Sequence, residues 1–209
     1  MVRNLPPTLT LKTALDRKAL GVPENGRVIL LQGTGINAER GGEELLEAML
    51  PVYGLQQTIL WIIGGGDILP RLKQIARKLQ LGDRVRFFPK MPYEQLMAHA
   101  SLADIGLSLD KDRSINYRYS LPNKLFDYIM AGVPVLASDL PEVKKIILDY
   151  GVGQVLSEVQ PAIIAENIGE MLGDAGRMEQ WRANCTTARE TLCWEAEQTI
   201  VRKIYRSFL

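Results

Sequence analysis

The 209-residue sequence has few of the features that mark metal-binding, secreted or membrane-spanning proteins. It contains one histidine, His99, and two cysteines, Cys185 and Cys193, with no His or third Cys at metal-ligand spacing. Its apolar runs are shorter than the roughly 20 residues that a membrane-spanning helix requires. The first ten residues hold one arginine and no long apolar core, unlike a signal peptide. These absences favour a cytoplasmic protein with reduced thiols.

Charge of one sign is also scarce. The formal net charge is +1, whereas nucleic-acid-binding domains usually carry a clearly basic stripe, so we expect no nucleic-acid partner. Hydrophobic residues make up 46% of the chain and charged residues 23%, as in ordinary globular proteins. The length is sufficient for one α/β domain and marginal for two. Peripheral contact of a longer protein with a membrane stays open.

Six short apolar runs alternate with amphipathic stretches through the middle of the chain. They are rich in Val, Ile, Leu and Phe, which is typical of strands buried on both faces of a parallel sheet. The alternation predicts a three-layer α/β fold, a Rossmann-like, doubly wound parallel sheet of about six strands with right-handed crossovers. The runs are Val28–Gln32, Ile59–Ile63, Val85–Phe88, Ile105–Leu109, Val133–Ala137 and Gln154–Leu156.

Helical patterns flank the predicted sheet at both ends of the chain. Residues 1–26 have no strand of their own and predict an extended lead followed by a helix over Lys12–Leu20. Residues 27–192 form the predicted sheet domain, and residues 193–209 a last helix. The three C-terminal helices are expected at Pro161–Leu172, Gly176–Leu192 and Trp194–Leu209.

Glycine-rich loops follow the first two strands, where doubly wound sheets bind ligands. Gly33 begins a loop that reaches Arg40 just before a helix, and glycines at a helix start favour an anion. Gly64–Gly66 follows the second strand, with Asp67 as the expected cap of the next helix. The dinucleotide pattern G-x-G-x-x-G fails, because Leu69 stands where its last glycine belongs. Ordinary tight turns are the alternative interpretation of both loops.

The next two loops are stiff and polar. Lys90 and Met91 lie between two prolines after the third strand, where a rigid backbone could meet a nucleobase. The longest polar loop, Asp110–Lys124, follows the fourth strand, and loops of this length are usually functional. Ser120 is a possible cap of the helix that follows. This helix could hold a phosphate at Lys124 while Asp127, one turn later, reaches hydroxyls; a solvated charged loop is the alternative.

The helix after this loop carries the most specific motif. Residues 120–135 read S-L-P-N-K-L-F-D-Y-I-M-A-G-V-P-V, which resembles the pattern S-x-P-x-K-x-x-E-Y-x-A-x-G-x-P-V at the donor site of group 1 retaining glycosyltransferases. The Gly64–Gly66 turn, the V-R-F-F-P run at 85–89, the A-D-I-G-L-S-L run at 103–109 and Trp194-Glu195 follow the family's order. The resemblance covers residues 27–209.

The resemblance implies a GT-B fold of two Rossmann-like domains, of which this chain would be the C-terminal, donor-binding half. Residues 1–26 would then be the remnant of an interdomain linker, and the last helix would cross back to the missing N-terminal acceptor domain. Without that domain we expect no sugar transfer. The implied donor is a UDP-, GDP- or ADP-sugar used in cell-surface polysaccharide biosynthesis, with no further cofactor and no essential metal.

The family's donor-site roles map onto particular residues here. Asp127, one methylene shorter than the usual Glu, would contact the ribose hydroxyls. Arg40 and Lys124 would stabilise the diphosphate leaving group and are the predicted catalytic residues. The remaining predicted donor contacts are Gly33, Gly64, Gly66, Lys90, Met91, Ser120 and Asn123.

Two departures from the family pattern leave alternatives open. Tyr119 stands where a second acid usually contacts the donor sugar, and Gly33-Thr34 replaces the usual Gly-Arg. Arg113 or Arg118 could supply the missing cation. The two other functions considered are a dinucleotide-binding oxidoreductase domain and a nonenzymatic α/β interaction module.

Overall fold

Six parallel strands form one sheet in the computed structural model of the chain, which describes residues 3–8, 15–52, 54 and 57–206. The spatial order is β3-β2-β1-β4-β5-β6, and every pairing between neighbours is parallel. The predicted Rossmann-like α/β fold is thereby confirmed. The strands are β1 Val28–Gly33, β2 Ile59–Gly64, β3 Val85–Phe88, β4 Ile105–Ser108, β5 Val135–Ser138 and β6 Gly153–Leu156.

Helices connect consecutive strands and cover both faces of the sheet. The strand order reverses between β1 and β4, and this switch point opens a crevice at the carboxyl ends of the strands. The helices are α1 Gly42–Val52, α2 Leu69–Lys78, α3 Tyr93–Ala100, α4 Ile115–Tyr119, α5 Asn123–Met130, α6 Pro141–Tyr150, α7 Pro161–Gly173, α8 Ala175–Ala188 and α9 Trp194–Arg206.

Two apolar cores lie on opposite faces of the sheet because β1 alternates its side chains between them. Ile29 and Leu31 pack with α1, α2 and α7 on one face, while Val28 and Leu30 pack with α5 and α6 on the other. Helix α8 contributes to both cores. Burial on both faces explains why the strands read as continuous apolar runs rather than alternating ones.

Tyr128 fixes α5 on the sheet directly beneath the crevice. Its hydroxyl donates to the carbonyl oxygens of Leu30, at 3.1 Å, and Leu107, at 3.2 Å, and accepts from the backbone N–H of Gln32 at 3.1 Å. Its ring occupies the space beside Gly106, where a Cβ atom would lie 2.3 Å from the ring. The neighbouring Asp127 is therefore held in place by a buried anchor that spans β1 and β4.

Several predicted boundaries need correction. Ile68, not Asp67, is the N-cap of α2, and no side chain caps that helix. Ser120 ends α4 rather than capping α5, whose N-cap is Pro122. No sequence pattern predicted α4 inside the polar loop; Ser114 caps this helix by accepting from the N–H of Tyr117.

The chain ends also differ in part from expectation. Residues 17–21 form a turn and not a helix, and residues 12–14 of the expected leading helix lie outside the described residues. Strand β5 begins at Val135, not Val133, because Pro134 has no N–H to donate to the ladder. Helix α9 is described to Arg206, and residues 207–209 lie outside the described part. Among the described residues, no helix is long and apolar enough to span a bilayer.

The N-terminal segment, residues 3–8, lies against α9. Pro6 accepts from the N–H of Trp194 at 2.8 Å, and the N–H of Arg3 donates to the buried carboxylate of Glu197 at 2.7 Å. Ala196 of α9 packs beside the small cluster formed by Met97, Met130 and Cys193. The last helix packs on its own domain through these contacts.

Candidate functional site

A cavity of about 760 Å³ lies at the carboxyl ends of β1 and β2 and at the N-terminus of α5. The cavity lies beside the point between β1 and β4 at which the strand order of the sheet reverses. Residues 4–7 also line the cavity. Of the predicted site residues, Gly66 is not part of the lining, which includes Gly33, Arg40, Gly64, Lys90, Met91, Ser120, Asn123, Lys124 and Asp127.

The two predicted phosphate cations meet at one buried carboxylate. Oδ1 of Asp110 lies 2.8 Å from Nη1 of Arg40 and 3.1 Å from Nζ of Lys124, and only 1% of the Asp110 side chain is exposed. The guanidinium of Arg40 also lies 5.3 Å from the ring centroid of Tyr117. Side chains from the β1, β4 and α5 regions thus form one charged cluster.

Burial sets the electrostatics of this cluster. Burial lowers the pKa of Lys124, and the charge of Arg40 lowers it further, while the charge and hydrogen bond of Asp110 act in the opposite direction. With all three groups ionised, the cluster carries one net positive charge at the mouth of a helix N-terminus. Such a location favours an anionic ligand.

Asp127 stands at the acidic part of the cavity. The hydroxyl of Tyr93 donates to Oδ1 at 2.9 Å, and the side-chain amide of Gln32 donates to Oδ2 at 2.9 Å. Burial raises the pKa of Asp127 to about 6, and the hydrogen bonds from Tyr93 and Gln32 oppose this shift. A carboxylate in this setting can still accept from ligand hydroxyls through its remaining lone pairs.

The two glycine-rich loops pack against each other. The N–H of Gly65 donates to the carbonyl oxygen of Gly33 at 3.0 Å, and the N–H of Ile36 donates to the carbonyl oxygen of Gly65 at 2.8 Å. A Cβ atom at Gly64 would lie 1.8 Å from the oxygen of Gly33, and one at Gly66 would lie 1.9 Å from the oxygen of Ile36. Close approach of two backbones, not of a ligand, therefore requires glycine at Gly66.

The other predicted contacts occupy the rim. The side chain of Lys90 extends across Gly65, and a Cβ atom added to Gly65 would lie 2.2 Å from Cε of Lys90. Ser120 donates to the carbonyl oxygen of Tyr117 at 3.1 Å, and Asn123 accepts from the side chain of Asn4 at 3.1 Å. The N-terminal segment and α5 are thus joined across the cavity wall.

The model for the family described as glycosyl transferases group 1 matches residues 12–187. This chain belongs to the group 1 glycosyltransferases. The match covers most of the sequence, and the parallel sheet with its crevice at the carboxyl ends of the strands agrees with it. The family resemblance seen in residues 120–135 is confirmed.

Known relatives agree with this family. The chain is 28% identical over 141 residues to a GDP-mannose-dependent alpha-(1-6)-phosphatidylinositol monomannoside mannosyltransferase of Mycolicibacterium smegmatis, covering 66% of this chain and 37% of that protein. It is 24% identical over 214 residues to a D-inositol 3-phosphate glycosyltransferase of Xylanimonas cellulosilytica, covering 96% of this chain and 47% of that protein. The chain therefore spans less than half the length of either relative.

A solved structure shows the same fold. HepE from Anabaena, in complex with UDP, superposes with a TM-score of 0.74 at 17% identity, covering 91% of this chain and 51% of that one. At this identity the likeness concerns the fold alone. The Rossmann-like sheet of this glycosyltransferase chain is thus found within a larger protein of similar fold.

Of the two departures from the family pattern, Gly33-Thr34 lines the cavity and Tyr119 does not. Tyr119, in the position of the usual second acid, is 59% exposed, and it does not line the cavity in the described part of the chain. Arg113 pairs with Glu39 at 3.6 Å and Arg118 with Asp112 at 3.4 Å. Neither arginine replaces the missing cation in this arrangement.

Sequence reasoning did not single out three residues that shape the site: Gln32, Tyr93 and Asp110. Each follows or ends a strand at the carboxyl edge of the sheet, and Gln32 and Asp110 are polar residues at the ends of apolar runs. A buried polar residue at such a point needs a partner, and that requirement was the available signal. The part played by residues 4–7 had no signal, because it depends on tertiary packing.

Within residues 3–8, 15–52, 54 and 57–206, no group of three or more His, Cys, Asp or Glu side chains has a metal-binding arrangement. Asp110 and Asp112 have the Asp-x-Asp spacing, yet the first holds Arg40 and Lys124 and the second pairs with Arg118. His99 packs edge-on against Trp61 and Phe88, at centroid distances of 6.0 and 5.4 Å. That environment gives His99 a structural role.

Proposed function

We propose that this chain is the donor-binding half of a glycosyltransferase that transfers a sugar from a nucleoside diphosphate sugar, with retention of configuration. The observation that carries the proposal is that two cations, Arg40 and Lys124, and one acid, Asp127, line the same cavity. The two cations suit a diphosphate, and the acid suits the ribose hydroxyls one helical turn away. One ligand with both groups fits this order.

The chemistry follows from where charge develops. When the glycosidic bond to the nucleotide breaks, the departing diphosphate gains negative charge, and preorganised positive groups lower the barrier. Lys124 and Arg40 supply that charge at the N-terminus of α5, whose dipole acts in the same direction. The proposal needs no resident metal or other cofactor, because these side chains do the work of the counter-ion.

The size of the chain bears on the rest of the reaction. The chain spans less than half of each curated relative, so we assign acceptor binding to a partner half of GT-B type that completes the cleft. Residues 3–8 and α9 would adjoin that half, in keeping with the linker and crossover helix expected at residues 1–26 and 193–209. We expect no transfer by this chain alone, and we place the enzyme in the cytoplasm, in cell-surface polysaccharide synthesis.

The direct test is binding of UDP, GDP and ADP to the 209-residue chain by calorimetry, with NAD as the comparison for an oxidoreductase. One relative is named for GDP-mannose, and HepE is described with UDP, so all three bases belong in the series. We expect one diphosphate to bind and NAD not to bind. No heat with any of the three at millimolar concentration, or selective binding of NAD, would contradict the proposal.

Variants locate the diphosphate in the cavity. Lys124→Met and Arg40→Met keep side-chain bulk but remove a charge-assisted hydrogen bond of about 1.5–3 kcal/mol, so each should weaken diphosphate binding about tenfold or more. Affinity for the matching nucleoside should change little. Arg113→Met is the matched control, since Arg113 is a surface arginine paired with Glu39. Equal diphosphate affinity in all three variants would place the site elsewhere.

A further inference from the structure

We propose that Asp110 is a positioning residue that holds Arg40 and Lys124 together as one preformed diphosphate receptor. The inference rests on the proposed function, and it assigns a role to a side chain that carries the wrong charge for an anion site. The geometry gives the reason. One oxygen of Asp110 bonds both cations, and no other acid pairs with either of them in the described residues.

The backbone that carries this carboxylate is itself fixed in position. The hydroxyl of Ser138 donates to the backbone carbonyl oxygens of Asp110, at 2.6 Å, and Ser108, at 3.2 Å, which ties the end of β4 to β5. The N–H of Lys111 donates to the carbonyl oxygen of Glu39 at 2.8 Å, which ties the same loop to the segment that carries Arg40. The loops after β1 and β4 therefore meet at Asp110 in a fixed geometry.

Burial of one oxygen of Asp110 is energetically unfavourable, and packing does not explain it. Only 1% of the side chain is exposed, and its Oδ2 has no hydrogen-bond partner in the described structure. Buried acceptors without partners are rare in folded proteins and often mark functional sites. Here both cations contact Oδ1, so the second oxygen adds negative charge to the cluster without a hydrogen bond of its own.

The direction in which diphosphate affinity changes when Asp110 is neutralised separates two explanations of its role. If Asp110 merely opposes the incoming diphosphate, its neutral variant should bind diphosphate more tightly, because one repulsion is gone. If Asp110 positions the cations, its neutral variant should bind more weakly. Arg40 and Lys124 would then repel each other, and Lys124 would be buried without a counter-ion.

The same change should alter how binding depends on pH. The charged groups around Lys124 are Asp110 from the loop after β4, Arg40 from the loop after β1, and Asp127 on its own helix. Among the described residues, Asp110 alone is a direct ion-pair partner that keeps Lys124 protonated. In Asp110→Asn, Lys124 should lose its proton at a lower pH than in the parent. As the pH is raised, the variant should therefore lose diphosphate binding before the parent does.

The experiment compares the parent, Asp110→Asn and Asp112→Asn by calorimetry with UDP, GDP and ADP between pH 7 and pH 9. Asp112 lies on the same loop, pairs only with exposed Arg118 and offers the same change of charge two residues away. We expect Asp110→Asn to bind diphosphate about tenfold more weakly at pH 7, with a further loss at pH 9. Asp112→Asn should match the parent. Diphosphate affinity in Asp110→Asn equal to or above that of the parent would overturn the inference.

Two additional measurements keep the test independent of folding and of the proposed function. Asp110→Glu retains the charge but displaces it by one methylene, so it should weaken diphosphate binding while leaving the titration of Lys124 near that of the parent. NMR titration of the Lys124 ammonium group without ligand should show a lower midpoint in Asp110→Asn. If the parent binds none of the three diphosphates, the proposed function fails, and an unchanged Lys124 midpoint would overturn the role of Asp110 separately.

Discussion

The hydroxyl of Tyr93 donates a 2.9 Å hydrogen bond to Oδ1 of Asp127, the acid expected to meet the ribose of the donor. The opposite oxygen is held by Gln32 at the same distance. Asp127 is therefore oriented by Gln32 of β1 and Tyr93 of α3 before a ligand enters. Because the Tyr93 hydrogen bond opposes the rise in pKa caused by burial, Tyr93 also controls the charge of this acid near neutral pH.

Replacing Tyr93 by Phe should make donor binding more sensitive to acid. Without the hydroxyl, the pKa of Asp127 should rise above its value of about 6, because burial is then less opposed. Protonation of Asp127 removes an acceptor for the ribose hydroxyls, so donor affinity should fall as pH decreases. The midpoint of this loss should lie at a higher pH in Tyr93→Phe than in the parent. Calorimetry between pH 5 and pH 8 with UDP-glucose or GDP-mannose, whichever the parent binds, measures the midpoint.

The diphosphate of a nucleotide sugar keeps its charge across this range, so the midpoint reports the protein. Tyr119→Phe removes a hydroxyl from an exposed tyrosine outside the cavity lining and is the matched control. At pH 7 we expect Tyr93→Phe to bind about two- to tenfold more weakly, which corresponds to one hydrogen bond. Identical midpoints in the parent and both variants would show that Tyr93 does not control Asp127.

Replacing Asp127 by Asn should stabilise the protein while weakening donor binding. The native pKa of about 6 lies above the ordinary value of 3.8, so the native state holds more protons than the unfolded state between about pH 4 and 6. The free energy of unfolding therefore decreases as pH rises through this window, and the deficit is complete above it. An amide removes the deficit, and the unpartnered Oε1 of Gln32 can rotate to accept from it.

Urea unfolding at pH 4.5 and pH 7.5 measures this effect. We expect Asp127→Asn to gain about 1–2 kcal/mol over the parent at pH 7.5, since one pKa unit corresponds to about 1.4 kcal/mol, and to gain less at pH 4.5. Asp149→Asn, at an exposed acid of α6, should change stability little at either pH. A loss of stability in Asp127→Asn at pH 7.5 would contradict the electrostatic account.

The sheet could be predicted from the sequence because its strands are buried on both faces. Runs such as Ile59–Ile63 are apolar at every position, and few other structures accommodate that pattern in a domain of this size. The site was predictable in position because its residues follow these strands and lie at the start of α5. The S-L-P-N-K-L-F-D motif at residues 120–127 predicts that Lys124 and Asp127 lie one helical turn apart.

The contacts among these residues were not predictable in the same way. Asp110 pairs with Arg40, 70 positions away, and Asp127 with Gln32, 95 positions away, so neither pair leaves a local pattern in the sequence. The sequence did not predict helix α4, because a helix of five residues is too short to show a periodic apolar pattern. Residue types at the sheet edge thus predict an anionic ligand, while tertiary packing decides which side chains share a partner.

The glycine turns provide a prediction that separates backbone packing from ligand approach. Gly64 has a φ of +135° and Gly66 a φ of +158°, which L side chains rarely adopt, and an added methyl group at either would meet a backbone oxygen at under 2 Å. Backbone atoms cannot yield as a flexible side chain can. Gly64→Ala and Gly66→Ala should therefore each lower the free energy of unfolding by about 2–4 kcal/mol.

Gly35→Ala is the matched control, because Gly35 lies in the facing loop and no atom lies within 4 Å of its added Cβ. Its stability should stay within about 0.5 kcal/mol of the parent. Urea unfolding of the three variants measures the difference, and nucleotide calorimetry on the folded fraction follows the site. Since Gly66 lies outside the cavity lining, Gly66→Ala should weaken donor binding only by displacing the Gly33–Ile36 loop. Full stability combined with lost binding in Gly66→Ala would instead indicate direct contact of Gly66 with the ligand.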